Sequence, residues 1–400
     1  MPSWWCGSSY VATSLLLAVI IVCTIVLGLV LNRYSKFSKA VEKAVMNNLS
    51  RCELQKQPAC RLIPQMNFAE SNEEVIRRAV GNAASRHSLG LWCADAVARI
   101  ELLFYKTNGL TTVELPPLAE TSAVSFLPGF VSDDGVFPIT FLFYKGKKIG
   151  YAYAVRVADS VPPQDILIVA FRGTATEQEW RTDFMFGQID SSLSTAGEST
   201  RRMQISDQSE AQEPHMGVDV HEGFLGVYES VSRELDQAVE LFVRTAKERA
   251  DGTQTTVVMC GHSLGGAVAS VASLAQFLKQ ENDSAHPSAD KIHCVTFGAP
   301  RSMGPLSSDI QALLDKDSSA FWQTRYVNSC DLIPAVPLSV MPNTDNPGRP
   351  FVYQHLSTSV RVNTRIEDVY FSRNELSLAY NHLLFQYIHF LHIQLALSSG

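Results

Sequence analysis

The sequence contains one serine in a setting that could make its hydroxyl a nucleophile. Ser263 is the centre of Gly261-His-Ser-Leu-Gly265, which follows the apolar run from Val257 to Cys260 and precedes a segment rich in small residues. A strand, a sharp turn and a helix form the context in which this G-x-S-x-G motif exposes a reactive serine. Side chains at Gly261 and Gly265 would collide with neighbouring backbone. The other interpretation is a glycine-rich turn with an incidental serine, but the flanks favour the nucleophile.

A serine hydroxyl needs a general base, and the base needs an orienting carboxylate. When the nucleophile lies on a strand-to-helix turn, the acid and then the histidine follow it along the chain. Asp331 comes just after the strand-like run 321–328, where folds of this kind place reactive groups. It could instead be a turn aspartate before Pro334. Three other aspartates lie on or beside a predicted helix and are poorer candidates: Asp309, Asp315 and Asp317.

Four histidines downstream of Ser263 and Asp331 could supply the base, namely His355, His382, His389 and His392. His355 lies inside a strand pattern, and His389 and His392 continue an apolar helix. Asn381 could cap that helix, which would place His382 near the end of a loop. The residue pattern alone therefore favours His382 only slightly.

When a serine attacks a carbonyl carbon, negative charge develops on the carbonyl oxygen, and backbone N–H donors must stabilise it. The N–H of Leu264 lies at a helix N-terminus and is free to stabilise an oxyanion. A second donor is expected in the loop after an early strand, and Thr174 follows the apolar run 166–171.

The segment after Thr174 carries Trp180 and Phe184, which are four residues apart and share one face of a short helix. This face could pack into the core of the protein. It could also form a lid that covers the serine in water and opens onto lipid.

Strand-like and helical segments alternate from residue 141 onward, which predicts an α/β protein with a mainly parallel sheet and helices on both faces. The predicted strands are 139–144, 149–157, 166–171, 257–260, 291–296, 321–328 and a late pair within 351–362. The predicted helices are 71–106, a helix ending near 249, 264–280, 306–314 and 375–397.

Composition divides the chain into a tail with a transmembrane segment at 1–34, a linker at 35–65 and a large domain at 66–400. Residues 188–217 within this domain are poor in large apolar side chains and rich in Ser, Gln, Glu and Thr. This composition predicts a solvated, partly disordered insertion.

The segment 11–31 has no charged residue and is long enough to cross a bilayer. No Lys or Arg precedes it and no A-x-A site follows, so a retained single-pass anchor is favoured over a cleaved signal peptide. Secretion through a cleaved or uncleaved signal is the alternative. Basic residues just after the segment place the following domain in the cytosol, whereas two N-glycosylation patterns, at 48–50 and 282–284, argue the opposite. The orientation stays open.

Bulk composition argues against several functions. The net charge is −7 and no basic stripe is present, so nucleic acid is not an expected partner. The eight cysteines form no C-x-x-C pair, so a structural zinc site is not expected. The serine chemistry described above needs no metal and no organic cofactor. Cys260 and Cys294 lie in apolar runs and are predicted to be buried thiols. Cys52 and Cys60 could form a disulfide in an oxidising compartment.

Five stretches, taken together, resemble the fungal-type class 3 lipase family. They occur in the family's order and cover roughly residues 89–391. The resemblance implies an α/β-hydrolase fold that acts on acylglycerols or related lipids, with a lid and no cofactor. The stretches are Phe171-Arg-Gly-Thr174 with Trp180 and Asp183, Val220-His-Glu-Gly-Phe224, Gly261-His-Ser-Leu-Gly-Gly266, Thr296-Phe-Gly-Ala-Pro-Arg301 and Asp331-Leu-Ile-Pro334.

The resemblance also assigns roles to individual residues. Ser263, Asp331 and His382 take the catalytic roles, and His382 is chosen because His382-Leu-Leu-Phe385 is similar to the family's H-x-x-[YF]. His355 resembles a non-catalytic histidine that the family places in a late strand. Two further sets follow from the same resemblance: Thr174 and Leu264 for the oxyanion hole, and Trp180 for the lid.

The expected function is therefore that of a membrane-anchored serine lipase whose substrate lies at a membrane or droplet surface. A phospholipase A1 or a mono- or diacylglycerol lipase is the first alternative. A lipase-like scaffold that binds lipid or protein without turnover is the second. The sequence identifies no protein partner.

Overall fold

A computed structural model describes residues 85–107, 124–127, 140–157, 162–174, 187–191, 217–249, 252–282, 288–316, 320–328, 331–343, 346, 348–357, 359–362, 381–388 and 390–391. The predicted transmembrane segment at 11–31, the linker at 35–65 and the Cys52–Cys60 pair lie outside these residues. The predicted domain division therefore stays a prediction. Among the helices that the structure does describe, none combines the length and the hydropathy needed to cross a membrane.

The described residues contain twelve strands. They are β1 (Val124–Phe126), β2 (Thr140–Tyr144), β3 (Lys147–Val157), β4 (Gln164–Phe171), β5 (Gln188–Ser191), β6 (Val218–His221), β7 (Gln254–His262), β8 (Lys291–Phe297), β9 (Phe321–Asn328), β10 (Val340–Met341), β11 (Phe351–Val352) and β12 (Ser359–Val362).

Eight of these strands form one central sheet, in the order β1-β3-β4-β7-β8-β9-β12 with β2 also paired to β3. The pairs from β4 to β12 are all parallel, whereas the three pairs that β3 makes are antiparallel. The predicted mainly parallel sheet is confirmed, and it has an antiparallel edge. This architecture fits the α/β-hydrolase fold.

Helices cover both faces of the sheet. They are α1 (Ser85–Thr107), α2 (Glu222–Lys247), α3 (Leu264–Asn282) and α4 (Ser308–Leu314), with further helical turns at 381–382 and 384–388. Strand β4 shows how the two cores form, because its alternate side chains point to opposite faces. Leu167 and Val169 pack in the core shared with α2 and α3. Ile168 and Ala170 pack in the core shared with α1 and residues 384–391.

Two predicted elements differ in the structure. Residues 188–191 do not belong to a structureless insertion, because they form β5 and pair antiparallel with β6. The strands predicted within 351–362 do not pair with each other. Instead β11 pairs with β10 and β12 pairs with β9, which places His355 between strands rather than inside one. His382 lies in a short helical turn at 381–382, which is followed by a bend at Leu383. The residues that precede this turn lie outside the described part of the chain, so the predicted place of His382 near the end of a loop stays a prediction.

Candidate active site

Ser263 lies on a tight turn between β7 and α3. Its φ is +55°, in the left-handed region that non-glycine residues rarely occupy. The turn is fixed at both ends. The Ser263 N–H donates to the carbonyl of Phe297 at 2.9 Å, and its own carbonyl accepts from the N–H groups of Gly266 and Ala267 at 2.9 and 3.2 Å. The surrounding structure therefore holds a strained conformation, as is usual at functional sites.

Glycines allow the close approach of backbone that this turn requires. A Cβ on Gly261 would overlap the backbone of Gly265, and a Cβ on Gly265 would overlap the carbonyl groups of Phe171 and Arg172. The sequence-based explanation for glycine at these two positions is confirmed. Its consequence is that the end of β4 lies directly against the start of α3.

The structure brings Ser263, His382 and Asp331 together in one line of hydrogen bonds. The Ser263 Oγ lies 2.8 Å from His382 Nε2, and His382 Nδ1 lies 2.8 Å from Asp331 Oδ2. All three residues are buried, with exposed fractions of 3%, 2% and 6% respectively. The carboxylate accepts the proton of Nδ1, so we assign the lone pair of Nε2 to the serine hydroxyl from this network.

The Asp331 carboxylate is held by donors on both oxygens. Its Oδ1 accepts from the N–H of Ile333 at 2.9 Å, and its Oδ2 accepts from the hydroxyl of Tyr387 at 2.6 Å. Burial, followed by the nearby Asp331 charge, raises the pKa of Tyr387 well above its usual value, so the phenol keeps its proton and donates. Gly298, with φ +59°, lies beside the pair, because a Cβ there would be 2.7 Å from Asp331 Oδ2.

The predicted oxyanion donors lie at the carboxyl edge of the same sheet. Phe171 pairs in register with Gly261, so β4 and β7 end side by side. Thr174 is partly buried just beyond the end of β4, and Leu264 is the first residue of α3. The Leu264 amide belongs to the first helical turn, where no preceding turn offers an intrahelical acceptor.

Two further residues of the site were missed by the sequence interpretation. His262 Nδ1 lies 2.9 Å from Glu101 Oε1, and His262 Nε2 lies 2.6 Å from the carbonyl oxygen of His382. The same Glu101 oxygen accepts from the N–H of Gly173 at 3.1 Å. His262 was visible as a member of the serine motif. Glu101 carried no signal, since an acidic residue in an amphipathic helix is ordinarily solvated.

The remaining sequence candidates lie elsewhere. His355 Nε2 donates to the carbonyl of Pro334 at 2.9 Å, and burial together with Arg325 lowers the pKa of His355 to about 3. Asp309 and Asp315 are exposed on and after α4. Five candidates lie outside the described residues: Trp180, Phe184, Asp317, His389 and His392.

The cysteines in the described chain are thiols packed in the core. Cys93, Cys260 and Cys294 are fully buried. Burial is the first cause that raises the pKa of Cys260 and of Cys294, the latter to about 11. The predicted burial of Cys260 and Cys294 is confirmed. Over the described residues no group of three His, Cys, Asp or Glu side chains could hold a metal ion.

Known proteins resemble parts of this chain. Residues 168–341 match the family described as lipase (class 3). A phospholipase A1-IIbeta from Arabidopsis thaliana is 28% identical over 245 residues, which are 56% of this chain and 48% of that protein. A secreted mono- and diacylglycerol lipase 1 from Fusarium solani is 31% identical over 135 residues, which are 34% of this chain and 30% of that protein. The chain thus spans about half or less of the length of these relatives.

Solved structures of fungal lipases overlap with the chain at low scores. A triacylglycerol lipase from Penicillium expansum has 13% identity and a TM-score of 0.40, covering 70% of this chain and 80% of that one. The Rhizomucor miehei lipase propeptide complex has 16% identity and a TM-score of 0.39, covering 69% and 74%. The predicted resemblance of this chain to the class 3 lipase family is confirmed, and the matched residues include both Ser263 and Asp331.

Proposed function

We propose that this protein is a serine ester hydrolase that cleaves acylglycerol-type lipids, with Ser263 as nucleophile, His382 as general base and Asp331 as orienting acid. The observation that carries the proposal is the line of two 2.8 Å contacts from Ser263 Oγ through His382 to Asp331. It starts at a strained turn, and the class 3 lipase match covers that turn. A buried line with these three residue types is the arrangement used for acyl transfer.

The reaction follows from the positions of the protons. His382 Nε2 takes the hydroxyl proton as Ser263 Oγ attacks the ester carbonyl carbon, and Asp331 stabilises the imidazolium that forms. The amides of Thr174 and Leu264 receive the negative charge that develops on the carbonyl oxygen. The imidazolium then protonates the departing alcohol, which leaves an acyl group on Ser263. Water attacks the acyl-enzyme with His382 again as base, and releases the fatty acid.

The test is covalent labelling followed by hydrolysis. A fluorophosphonate probe should label the wild type and should not label Ser263→Ala, and that variant should lose ester hydrolysis while keeping its melting temperature. A protein that is not labelled and hydrolyses no ester would be the lipase-like binding scaffold. Ser263→Ala that retains substantial activity would show that another residue is the nucleophile.

The next question is which head group the lipid substrate carries. The relatives carry two different names, a phospholipase A1 and a mono- and diacylglycerol lipase, and each matches only part of its own length. We propose an acylglycerol as the first substrate class, with phospholipids as the alternative. A panel of mono-, di- and triacylglycerols, phospholipids and galactolipids, presented at equal surface concentration, would rank the classes by initial rate. Preference for phospholipids over every acylglycerol would overturn the first choice.

The lid stays a proposal that rests on the sequence. Trp180 and Phe184 would close over Ser263 in water, because exposed apolar surface costs about 25 cal/mol per Å². A lipid surface would stabilise the open state, since it contacts the two states differently. Trp180→Ala should then weaken hydrolysis of emulsified long-chain esters more than hydrolysis of dissolved short-chain esters. An unchanged ratio of the two rates would argue that Trp180 is a core residue of a short helix.

The membrane anchor at 11–31 is likewise a proposal, and we propose that it can be separated from the chemistry of the domain at 66–400. The residues of the site lie between Glu101 and Tyr387. A protein without residues 1–34 should hydrolyse dissolved short-chain esters at close to the full rate. Full-length protein should stay with membranes in alkaline carbonate. Release by carbonate would favour the secreted alternative.

A further inference from the structure

The His262 imidazole is enclosed by two acceptors. Its Nδ1 faces the Glu101 carboxylate at 2.9 Å and its Nε2 faces a backbone carbonyl, that of His382, at 2.6 Å. Neither partner has a proton to donate, so both ring nitrogens must carry one for both contacts to be hydrogen bonds. With Glu101 ionised, as its lowered pKa indicates, the geometry requires an imidazolium beside a carboxylate. The His262 side chain is 7% exposed and that of Glu101 is 19% exposed.

This ion pair joins three parts of the site that come from distant stretches of the chain. Glu101 lies on α1 and accepts from the N–H of Gly173, the residue before Thr174. His262 is the last residue of β7 and precedes Ser263. The carbonyl that His262 contacts belongs to His382 itself. One pair of side chains thus contacts three parts of the site. They are the backbone just after β4 that leads to Thr174, here called the oxyanion strand end, the nucleophile turn at Ser263, and the backbone of the general base His382.

We propose that Glu101 and His262 form a charged pair that positions the nucleophile, the oxyanion strand end and the general base relative to one another. They are positioning residues, because neither touches the ester in the proposed reaction. The inference rests on the function proposed above. The effect is expected in kcat, because a displacement of reacting groups by about 1 Å can cost roughly 100-fold in rate.

The other charged and titratable groups around His262 belong to several elements. They are Arg172 at the end of β4, Asp331 after β9, and His382 and Tyr387 in the C-terminal helical turns. Arg172 is itself fixed, since its guanidinium donates to the carbonyls of Lys148 and Gly173 at 2.8 Å. The ring of His262 lies 4.7 Å from that of His382, centroid to centroid. A positive charge on His382 during the reaction is unfavourable at that distance from the His262 imidazolium, and the Glu101 carboxylate offsets this repulsion.

The charges of the pair set the sign of the pH dependence. Burial is the largest single effect and disfavours both charged groups. The attraction between them, their hydrogen bonds to each other and to Gly173 and His382, and the charges of Arg172 and Asp331 together outweigh burial, so the pKa of His262 is raised and that of Glu101 is lowered. The contribution of His262 is complete below about pH 6.5 and is lost as pH rises through its raised pKa. The contribution of Glu101 is present above its ordinary pKa and is lost as pH falls through its lowered one. Wild-type kcat should therefore fall on the alkaline side when His262 loses its proton.

Two substitutions separate charge from position. Glu101→Ala removes the acceptor of both Gly173 and His262. Glu101→Gln keeps the size of the side chain and removes its charge. Because one Glu101 oxygen contacts both Gly173 and His262, the amide must rotate for its oxygen to accept from Gly173 while its NH₂ donates to Nδ1 of a neutral His262. Asp95→Asn is the matched control, because Asp95 is a buried carboxylate on the same helix that pairs with Arg99 at 3.1 Å, away from the site.

The experiment measures kcat and KM on a dissolved short-chain ester across pH, and the rate of Ser263 labelling by a fluorophosphonate. Glu101→Ala should lower kcat and the labelling rate by about 100-fold at unchanged KM. Glu101→Gln should restore most of both at neutral pH and should lose the alkaline decline of the wild type. Asp95→Asn should keep the wild-type profile.

The protonation state of His262 is measured directly by ¹⁵N NMR of its ring, in the wild type and in Glu101→Gln. Two protonated ring nitrogens are expected at pH 7 in the wild type, and one in the variant. A neutral His262 in the wild type, or a Glu101→Ala variant with the kcat of Asp95→Asn, would overturn the proposal. This readout needs no substrate. If the wild type hydrolyses no ester, the proposed function fails, while the ring titration still decides whether the charged pair exists.

Discussion

His262 and His382 lie side by side, and each contacts a carboxylate through Nδ1, but their Nε2 atoms face opposite kinds of group. The Nε2 of His382 faces the Ser263 hydroxyl, which has a proton to give. The Nε2 of His262 faces a carbonyl oxygen, which can only accept. His382 can therefore be neutral and take a proton, whereas His262 must keep both protons. The difference shows that the partner of one nitrogen atom, rather than the residue type or its burial, decides whether a buried histidine can act as a base.

The strongest test of this comparison removes the imidazole rings of His382 and His262 in turn. His382→Ala should lower kcat by about 10⁶-fold, because the nucleophile and base act as a unit. His262→Ala should lower kcat by only about 100-fold, because it removes positioning and leaves the base. Steady-state kinetics on a dissolved ester, with melting temperatures as a folding control, would test this ranking. Equal losses in two folded variants would contradict the division of roles.

The carboxylate partner of His382 offers the next largest effect. Asp331→Asn should lower kcat by about 10⁴-fold, because an amide at this position favours the wrong tautomer of His382. Glu101→Gln, the corresponding change at the other histidine, should be mild at neutral pH. The measurement is kcat for both variants at pH 7. If Asp331→Asn were as mild as Glu101→Gln, the orienting acid would have to be sought elsewhere.

Tyr387 tests the role of Asp331, because its hydroxyl donates a hydrogen bond to the Asp331 carboxylate. Tyr387→Phe removes the hydroxyl that donates to Asp331 Oδ2 at 2.6 Å and leaves the ring packed in the core. A hydrogen bond to a charged group contributes about 1.5–3 kcal/mol, so we expect a loss in stability of this size and a kcat about ten times lower. Chemical denaturation and steady-state kinetics would measure both effects. An unchanged kcat would mean that the N–H groups of Ile333 and of His382 Nδ1 are enough to fix the carboxylate.

A third histidine, His355, should have almost no effect on catalysis, since its ring donates to the Pro334 carbonyl at 2.9 Å and not to a residue of the proposed catalytic line. Its pKa is lowered to about 3 by burial and by Arg325, so the folded protein holds it neutral. The unfolded chain binds a proton there below about pH 6.5, so this residue makes the protein less stable as pH falls from about 6.5 towards 3. His355→Ala should keep kcat and show a smaller drop in urea midpoint between pH 7 and pH 5. A larger drop than in the wild type would show that the sign is wrong.

Local sequence determined the nucleophile turn and most of the strands. Gly261 and Gly265 predicted close backbone contacts that the structure contains, because steric exclusion of a Cβ is a property of a few neighbouring residues. The predicted strands at 139–144, 149–157, 166–171, 291–296 and 321–328 are all present. The run 166–171 is apolar throughout and is buried on both faces of the sheet, as its sequence predicts.

Only the tertiary structure decided which distant residues meet. Asp331 and His382 lie 51 positions apart, and Ser263 and His382 lie 119 apart, so the residue pattern gave His382 only a slight lead and the family resemblance supplied the rest. The pairing of β11 with β10 rather than β12 was likewise hidden, because strand periodicity does not specify a partner. Glu101 is the clearest case. An acidic residue in a helix looks solvated in sequence, and it becomes part of the site because α1 packs across the ends of β4 and β7, where His262 and the Gly173 amide converge on its carboxylate.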